Sequence, residues 1–122
     1  MRSLLILIFV FYTHSIFAEE KLSSEGCEDK ETSTRFEACV LNKQTAELDT
    51  KLNIKYKELL RVAPTFSPTA KDALIESERS WIHYRDKTCY FQQQFLDGIY
   101  SISWVRCMNR LTKERLMYLE SL

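Results

Sequence analysis

The chain has 122 residues, and its 17 Lys and Arg are balanced by 17 Asp and Glu. A chain of this length holds one domain, and its balanced charge excludes proteins that bind nucleic acid or anionic membranes through bulk positive charge. Only two glycines and two prolines occur in it, which predicts few and long secondary-structure elements.

The first 18 residues have the pattern of a secretory signal peptide. Arg2 supplies a positive charge, Leu4–Tyr12 is an apolar run, and Ala18 is the small residue before the expected cleavage site. The run is shorter than the roughly 20 residues that span a bilayer. We therefore expect export and no stable membrane insertion after cleavage; the alternative is an uncleaved membrane anchor. No cysteine lies near the cleavage site, which argues against a lipoprotein.

Residues 19–32 form an acidic segment, with six carboxylates against two lysines. We expect a solvated, flexible leader; the alternative is an acidic patch for a cationic partner. A single helical domain should follow over residues 33–122.

The four cysteines (Cys27, Cys39, Cys89 and Cys107) all lie beyond the cleavage site. An even number in a small exported chain predicts two disulfides. A zinc site is the rival interpretation, but the closely spaced cysteine pairs that are typical of such sites are absent from the sequence. Sequence alone allows three connectivities, and we favour the two local pairs, 27–39 and 89–107.

Three amphipathic helices are predicted in chain order. The first runs from about Ser33 to Val62, where Pro64 should end it, and Ser67 should cap the second, which reaches at least Cys89. Asp97-Gly98 marks the next turn, and the third helix covers Ser103 to Leu122. Apolar positions recur at helical spacing in each; in the third they are Trp104, Cys107, Met108, Leu111, Arg115, Tyr118 and Leu122.

Short connections favour an all-α, antiparallel three-helix up-down-up bundle stapled by two disulfides. In this arrangement both disulfides should lie at the same end of the bundle. Several polar residues fall beside the apolar faces, and we expect most of them to form a network of hydrogen bonds between helices, with ligand contact as the alternative. They are Asp49, Asn53, Glu78, Arg85, Asp86 and Arg115.

Catalytic motifs are missing from the sequence. His83 is the one histidine beyond the signal peptide, and no nucleophile elbow, zinc-protease motif or phosphate loop is present. We therefore expect no enzyme activity, no catalytic or metal-binding residues and no cofactor. A cell-wall hydrolase would require a carboxylate with a raised pKa in a groove, for which the sequence offers no sign.

The segment between Cys89 and Cys107 is rich in aromatic residues: Tyr90, Phe91, Phe95, Tyr100 and Trp104. Most should cover the end of the core. Any that remain exposed on a disulfide-stiffened scaffold would form a rigid contact surface. The residues that we expect to bind a partner are Asp97, Ile99, Tyr100 and Trp104.

Three stretches of the chain carry a specific pattern of residues. They contain Cys39, Ala46-Glu47-Leu48-Asp49, Leu52-Asn53 and Tyr56, then Glu78-Arg79-Ser80-Trp81, Tyr84-Arg85-Asp86 and Cys89, and finally Cys107, Thr112 and Arg115. With this pattern the chain resembles the LprI-like lysozyme inhibitor family of small exported helical bacterial proteins. Together the three stretches cover about residues 27–119, and the most specific part is Trp81 to Cys89. Glu78 stands where that family typically has Gln, and Ile99-Tyr100-Ser101 replaces small or polar residues after Gly98.

The resemblance implies a periplasmic or secreted, non-enzymatic protein that binds a protein partner, possibly a lysozyme-type muramidase, and inhibits it. The alternative function is that of an envelope structural or accessory protein that binds another exported partner and has no effect on lysozyme. The sequence determines no oligomeric state.

Overall fold

The fold is all-α. The computed structural model describes residues 24–28, 32–96 and 102–122, and their regular structure consists of three helices: α1 (Ser33–Phe66), α2 (Ala70–Leu96) and α3 (Ile102–Glu120). Disulfides join Cys27 to Cys39 and Cys89 to Cys107. The predicted three-helix bundle with two disulfides is therefore confirmed. The signal peptide, most of the acidic leader and the Asp97-Gly98 turn lie outside the described residues.

The chain divides into two compact units, residues 1–40 and 41–122. In the first unit a short turn precedes Cys27, and Gly26 within it has a φ angle of 77°, which glycine adopts without steric cost. Thr32 caps α1, because its hydroxyl oxygen accepts a hydrogen bond from the Arg35 backbone N–H at 3.2 Å. The Cys27–Cys39 disulfide then ties the turn to the first part of α1.

The expectation that Pro64 ends the first helix is wrong, because α1 continues to Phe66. A proline removes one backbone N–H, the one that would bond to the carbonyl four residues earlier. The later donors keep their partners: the Ser67 N–H bonds to the Ala63 carbonyl at 3.4 Å, and the Thr65 hydroxyl donates to the Val62 carbonyl at 2.7 Å. One lost hydrogen bond near the end of an exposed helix is therefore tolerated.

Ser67 caps the start of the next helix as the sequence predicts, although the regular helix begins at Ala70. Its hydroxyl oxygen accepts a hydrogen bond from the Thr69 N–H at 3.3 Å, and its carbonyl accepts one from the Ala70 N–H at 3.1 Å. These are the bonds of a residue that caps a helix, with Pro68 in the position that needs no donor. A connection of three residues leaves α2 antiparallel to α1.

The core of the second unit consists of two hydrophobic clusters. The first contains Leu52 of α1 with Leu116 and Leu119 of α3, and partly buried side chains of α1 and α2 pack against it. The second contains Cys89, Cys107 and Leu111, with Trp104 and Met108 packed against it. The Cys89–Cys107 disulfide is thus part of the core and fastens α2 to α3, with 5.4 Å between the two Cα atoms.

The buried face of α3 departs from the predicted stripe. Tyr118 and Leu122 are exposed, whereas Leu116 and Leu119 are buried. The predicted stripe alternated steps of three and four residues, which gives a period of 3.5. A straight helix has 3.6 residues per turn and drifts by about 20° per heptad relative to that pattern. By the end of α3, the buried face has moved about one residue later than the predicted stripe, to Leu116 and Leu119.

Charged residues are distributed along each of the described helices, and none of these helices has an apolar stretch that could cross a membrane.

Candidate functional site

A buried arginine on α2 connects the three helices. The Arg85 Nη1 atom donates to Asp49 Oδ1 on α1 at 3.1 Å and to Thr112 Oγ1 on α3 at 3.2 Å. Its Nε atom donates to Asp86 Oδ1, one residue along the chain, at 3.1 Å. The planar guanidinium presents five N–H donors at fixed angles, so one side chain can bind groups on several helices at once. Arg85 therefore constrains the relative positions of the three helices.

A second arginine forms an ion pair that is largely removed from water. Arg115 on α3 donates to Glu78 Oε2 on α2 through Nε at 2.9 Å and through Nη2 at 2.7 Å. The two side chains are only 9% and 10% exposed. Arg115 also donates to the Ser77 hydroxyl at 3.0 Å. Charges in such surroundings require each other, because either one alone would be buried without compensation.

Trp81 lies beside both arginines. The guanidinium carbon of Arg85 is 4.9 Å from the centroid of the indole ring, and that of Arg115 is 5.7 Å from it. Both distances fall within the range of cation–π attraction. The same indole packs against the first hydrophobic cluster. Trp81 therefore joins the apolar core to the two ion-paired arginines.

The sequence did not identify every polar residue that takes part. Thr112, Ser77, Thr45 and Asn109 were not predicted as partners, yet Thr112 is fully buried and Asn109 Nδ2 donates to Thr45 Oγ1 at 3.1 Å. Thr112 follows Met108 by four residues on the buried stripe, so its position on the apolar face was a usable signal. Asn53, which was predicted, bonds within its own helix to the Asp49 carbonyl at 2.8 Å.

Three aromatic side chains near the end of α2 are exposed. Tyr90, Phe91 and Phe95 are all more than half exposed, and the rings of Phe91 and Phe95 stack with 5.6 Å between centroids. Seven residues before Phe91, Tyr84 is exposed as well. The expectation that most aromatic residues between Cys89 and Cys107 cover the end of the core is therefore wrong, because three of the five lie exposed at the surface.

The four residues predicted to bind a partner are only partly described. Asp97, Ile99 and Tyr100 lie outside the described residues. Trp104 is half-buried against the cluster around Cys89 and Cys107. Their role in binding a partner stays a prediction.

The arrangement offers little for catalysis or metal binding. His83 is exposed on an outward face of α2, beside Arg79, Asp86 and Lys87. The carboxylates of Glu78 and Asp49 are both bonded to arginine. Within residues 24–28, 32–96 and 102–122, no three His, Cys, Asp or Glu side chains are grouped so that they could hold a metal ion.

An apolar recess of about 270 Å³ lies where the end of α1 meets the start of α2 and the end of the chain. Only apolar side chains line it, so a group that enters it would gain from burial and not from hydrogen bonding. The lining residues are Leu59, Val62, Ala63, Phe66, Ala70, Leu74 and Leu122.

The comparison with known protein families gives a match that covers nearly all of the described chain. The sequence profile of the family described as "Lysozyme inhibitor LprI" matches residues 26–119. The matched range includes all four cysteines and both ion pairs that join different helices, Arg85–Asp49 and Arg115–Glu78. No curated protein and no solved structure matches the chain.

Proposed function

The chain belongs to the LprI lysozyme inhibitor family, and we propose that it is an exported, non-enzymatic protein that binds a lysozyme-type muramidase and blocks it. The observation that carries the proposal is the extent of the family match, which runs from Gly26 to Leu119. The matched range therefore includes the disulfides and ion pairs that join parts of the fold, and it also includes the exposed side chains of the helices.

The rigidity of the helical domain supports an inhibitory role. A protein that occludes an enzyme cleft binds best when its contact surface is ordered before binding, because ordering it on binding costs affinity. The Cys89–Cys107 disulfide and the two largely buried arginines restrict how the helices can move against one another, and the Cys27–Cys39 disulfide fixes the turn before α1. Such a scaffold can present surface side chains in one arrangement.

The cysteines support export. Disulfides persist in the periplasm and outside the cell, whereas cytosolic thiols are kept reduced. Both cysteine pairs are joined, and among the described residues no free cysteine remains. Together with the signal-peptide pattern of residues 1–18, this favours a periplasmic or secreted protein.

The proposal predicts direct inhibition. Purified mature protein, from residue 19 onward, should slow the clearing of a cell-wall suspension by c-type lysozyme as its concentration rises, and it should clear no suspension by itself. Heat-denatured protein at the same concentration provides the control. Unaltered clearing at a large molar excess of folded protein would refute the proposal, and clearing by the protein alone would show a hydrolase instead.

The distribution of charge suggests how a cationic lysozyme would be attracted. Residues 19–32 carry a net charge of −4, whereas residues 33–122 carry 14 Lys and Arg against 11 Asp and Glu. Long-range attraction of a cationic enzyme must therefore come from the leader and not from the helical domain. We propose that the acidic leader steers association.

Neutralising the leader should slow association. A variant with Glu19, Glu20, Glu25 and Glu28 changed to Gln is expected to bind lysozyme with an association rate about tenfold lower at low salt, because steering by opposite charge is lost. At high salt the variant and the natural protein should converge, since ions screen the attraction.

Stopped-flow or biosensor kinetics at two ionic strengths would measure this effect. A matched control changes four carboxylates on the helices, Glu58, Glu76, Glu114 and Glu120, to Gln and alters net charge by the same amount. If both variants slow association equally, net charge and not the leader is responsible.

A second candidate function is that of an envelope accessory protein with another partner. The net positive charge of residues 33–122 favours it, because that surface does not complement a cationic enzyme. In this case capture experiments with the mature protein should retain an exported protein that is not a muramidase, and deletion of the gene should leave lysozyme sensitivity unchanged.

A further inference from the structure

The exposed aromatic residues of α2 include three that share one side of the helix. Tyr84, Phe91 and Phe95 are separated by seven and four residues, which places them on one face. Ser77, seven residues before Tyr84, bonds to Arg115 of α3, so this face borders α3. We refer to Tyr84, Phe91 and Phe95 as the aromatic edge.

We propose that the aromatic edge is the surface by which this protein contacts lysozyme. This inference rests on the proposed function, because it assigns the partner of that function to one surface of the bundle. It differs from the sequence prediction at Trp104, which packs against the core around Cys89 and Cys107.

The area of the edge suits the centre of a protein–protein contact. The three side chains are 56%, 62% and 75% exposed. With about 150–250 Å² per aromatic side chain, they display roughly 400 Å² of mainly apolar surface. A complex of ordinary size buries about 800 Å² on each partner, whereas obligate dimers bury considerably more. The edge therefore supplies about half of the area that one partner buries in such a complex. This is the amount expected for the apolar centre of a contact with a different protein.

The edge is also held rigidly. Phe91 and Phe95 stack on each other with an angle of 24° between their ring planes, so each restricts the other. The disulfide from Cys89 to Cys107 fastens this half of α2 to α3 only two residues before Phe91. Aromatic side chains lose little conformational freedom when they bind, and this makes them common anchors of interfaces.

No charged residue belongs to the edge, and this separates its role from that of the acidic leader. Burial of apolar surface resists dissociation and responds weakly to salt, whereas charge steering raises the association rate and is screened by salt. Loss of the edge should therefore raise the dissociation rate, and loss of the leader's charge should lower the association rate.

The test compares two variants with the natural mature protein in biosensor kinetics against c-type lysozyme. Phe91→Ala/Phe95→Ala is expected to bind about 100-fold more weakly, through faster dissociation at both low and high salt. Tyr90→Ala is the matched control, because Tyr90 is similarly exposed but lies about 100° around the helix from Phe91. It should bind within twofold of the natural protein. Tyr84→Ala, a single change further along the edge, should weaken binding about tenfold and serves if the double variant folds poorly.

The outcomes separate this inference from the proposed function. If the natural protein binds lysozyme and the double variant and Tyr84→Ala bind within threefold of it, the edge is not the contact surface and the function stands. If the natural protein does not bind lysozyme, the proposed function and the role of the aromatic edge are both refuted.

Light scattering tests a different occupant of the edge. If the natural protein is a dimer, and the double variant is a monomer that still binds lysozyme equally well, the edge serves self-association. Binding of lipid vesicles that the double variant loses, again with lysozyme binding unchanged, would assign it to a membrane surface.

Discussion

Replacing Arg115 with alanine is expected to lower the free energy of unfolding by about 3–5 kcal/mol, because the change leaves the carboxylate of Glu78 buried without a partner. Arg115 donates two hydrogen bonds to Glu78 Oε2, and both side chains are nearly excluded from water. Equilibrium unfolding in urea, followed by circular dichroism, would measure the loss. It is large compared with the roughly 5–15 kcal/mol that stabilise a typical domain.

The matched control for this prediction lies on the same helix. Arg110 is paired with Glu114 at 3.1 Å, but both side chains are about half exposed. Arg110→Ala should therefore cost less than about 0.5 kcal/mol, since exposed pairs contribute little. Equal losses from the two variants would contradict the view that burial makes the Arg115 pair important.

A second variant isolates the cost of the buried charge. In a Glu78→Gln background the partner of Arg115 carries no charge, so Arg115→Ala should then cost about 1–3 kcal/mol, the penalty of an unsatisfied polar group. The difference between the two backgrounds measures the coupling between the charges. Additive losses would show that Arg115 acts through its packing against Trp81 and Tyr118 and not through Glu78.

Removal of the disulfide between Cys89 and Cys107 is the other change with a large expected effect. Its sulfur atoms close a loop with a sequence separation of 18 residues, and the chain-entropy treatment gives about 3 kcal/mol for such a loop. Cys89→Ala/Cys107→Ala should therefore lower the free energy of unfolding by about this amount. The removed sulfur atoms also leave space beside Leu111 in the second hydrophobic cluster, which adds to the loss.

Urea unfolding of the double alanine variant under non-reducing conditions would test this prediction. The comparison variant is Cys27→Ala/Cys39→Ala, which opens a loop with a separation of 12 residues. A reductant should destabilise the natural protein and leave a variant without any cysteine unaffected. A loss below about 1 kcal/mol for the Cys89 and Cys107 pair would mean that packing and the polar contacts between α2 and α3 hold these helices together without the disulfide.

The ends of the helices were predictable where a local interaction determines them. Ser67 caps α2 because its own side chain and carbonyl bond to the next few N–H groups, and the sequence alone contains that information. Pro64 shows a helix end that local sequence information does not determine. Proline weakens a helix locally, but whether the helix continues for two more residues depends on which donors find partners in the folded chain.

The sequence predicted that polar residues of the candidate site form bonds between helices, but it did not predict which atoms bond. Charged residues beside an apolar stripe must be paired, so Arg85, Arg115 and Glu78 could be expected to form bonds between helices. Which atoms meet depends on how far each helix is rotated and shifted against its neighbours. Thr112 receives a hydrogen bond from Arg85 only because α3 is rotated so that its buried face includes that threonine.

The sequence already determined a disulfide-bonded chain of three helices. Its cysteine pattern, helical periodicity and scarcity of glycine and proline are properties of composition and of neighbours within one helical turn. Tertiary structure alone decided which aromatic residues remain exposed. Tyr84, Phe91 and Phe95 have the spacing of a buried stripe, and they are exposed because Trp81, Arg85 and Cys89 occupy the side of α2 that faces the interior. Whether an apolar residue becomes core or surface depends on what packs against it, and the periodicity of one helix does not contain that information.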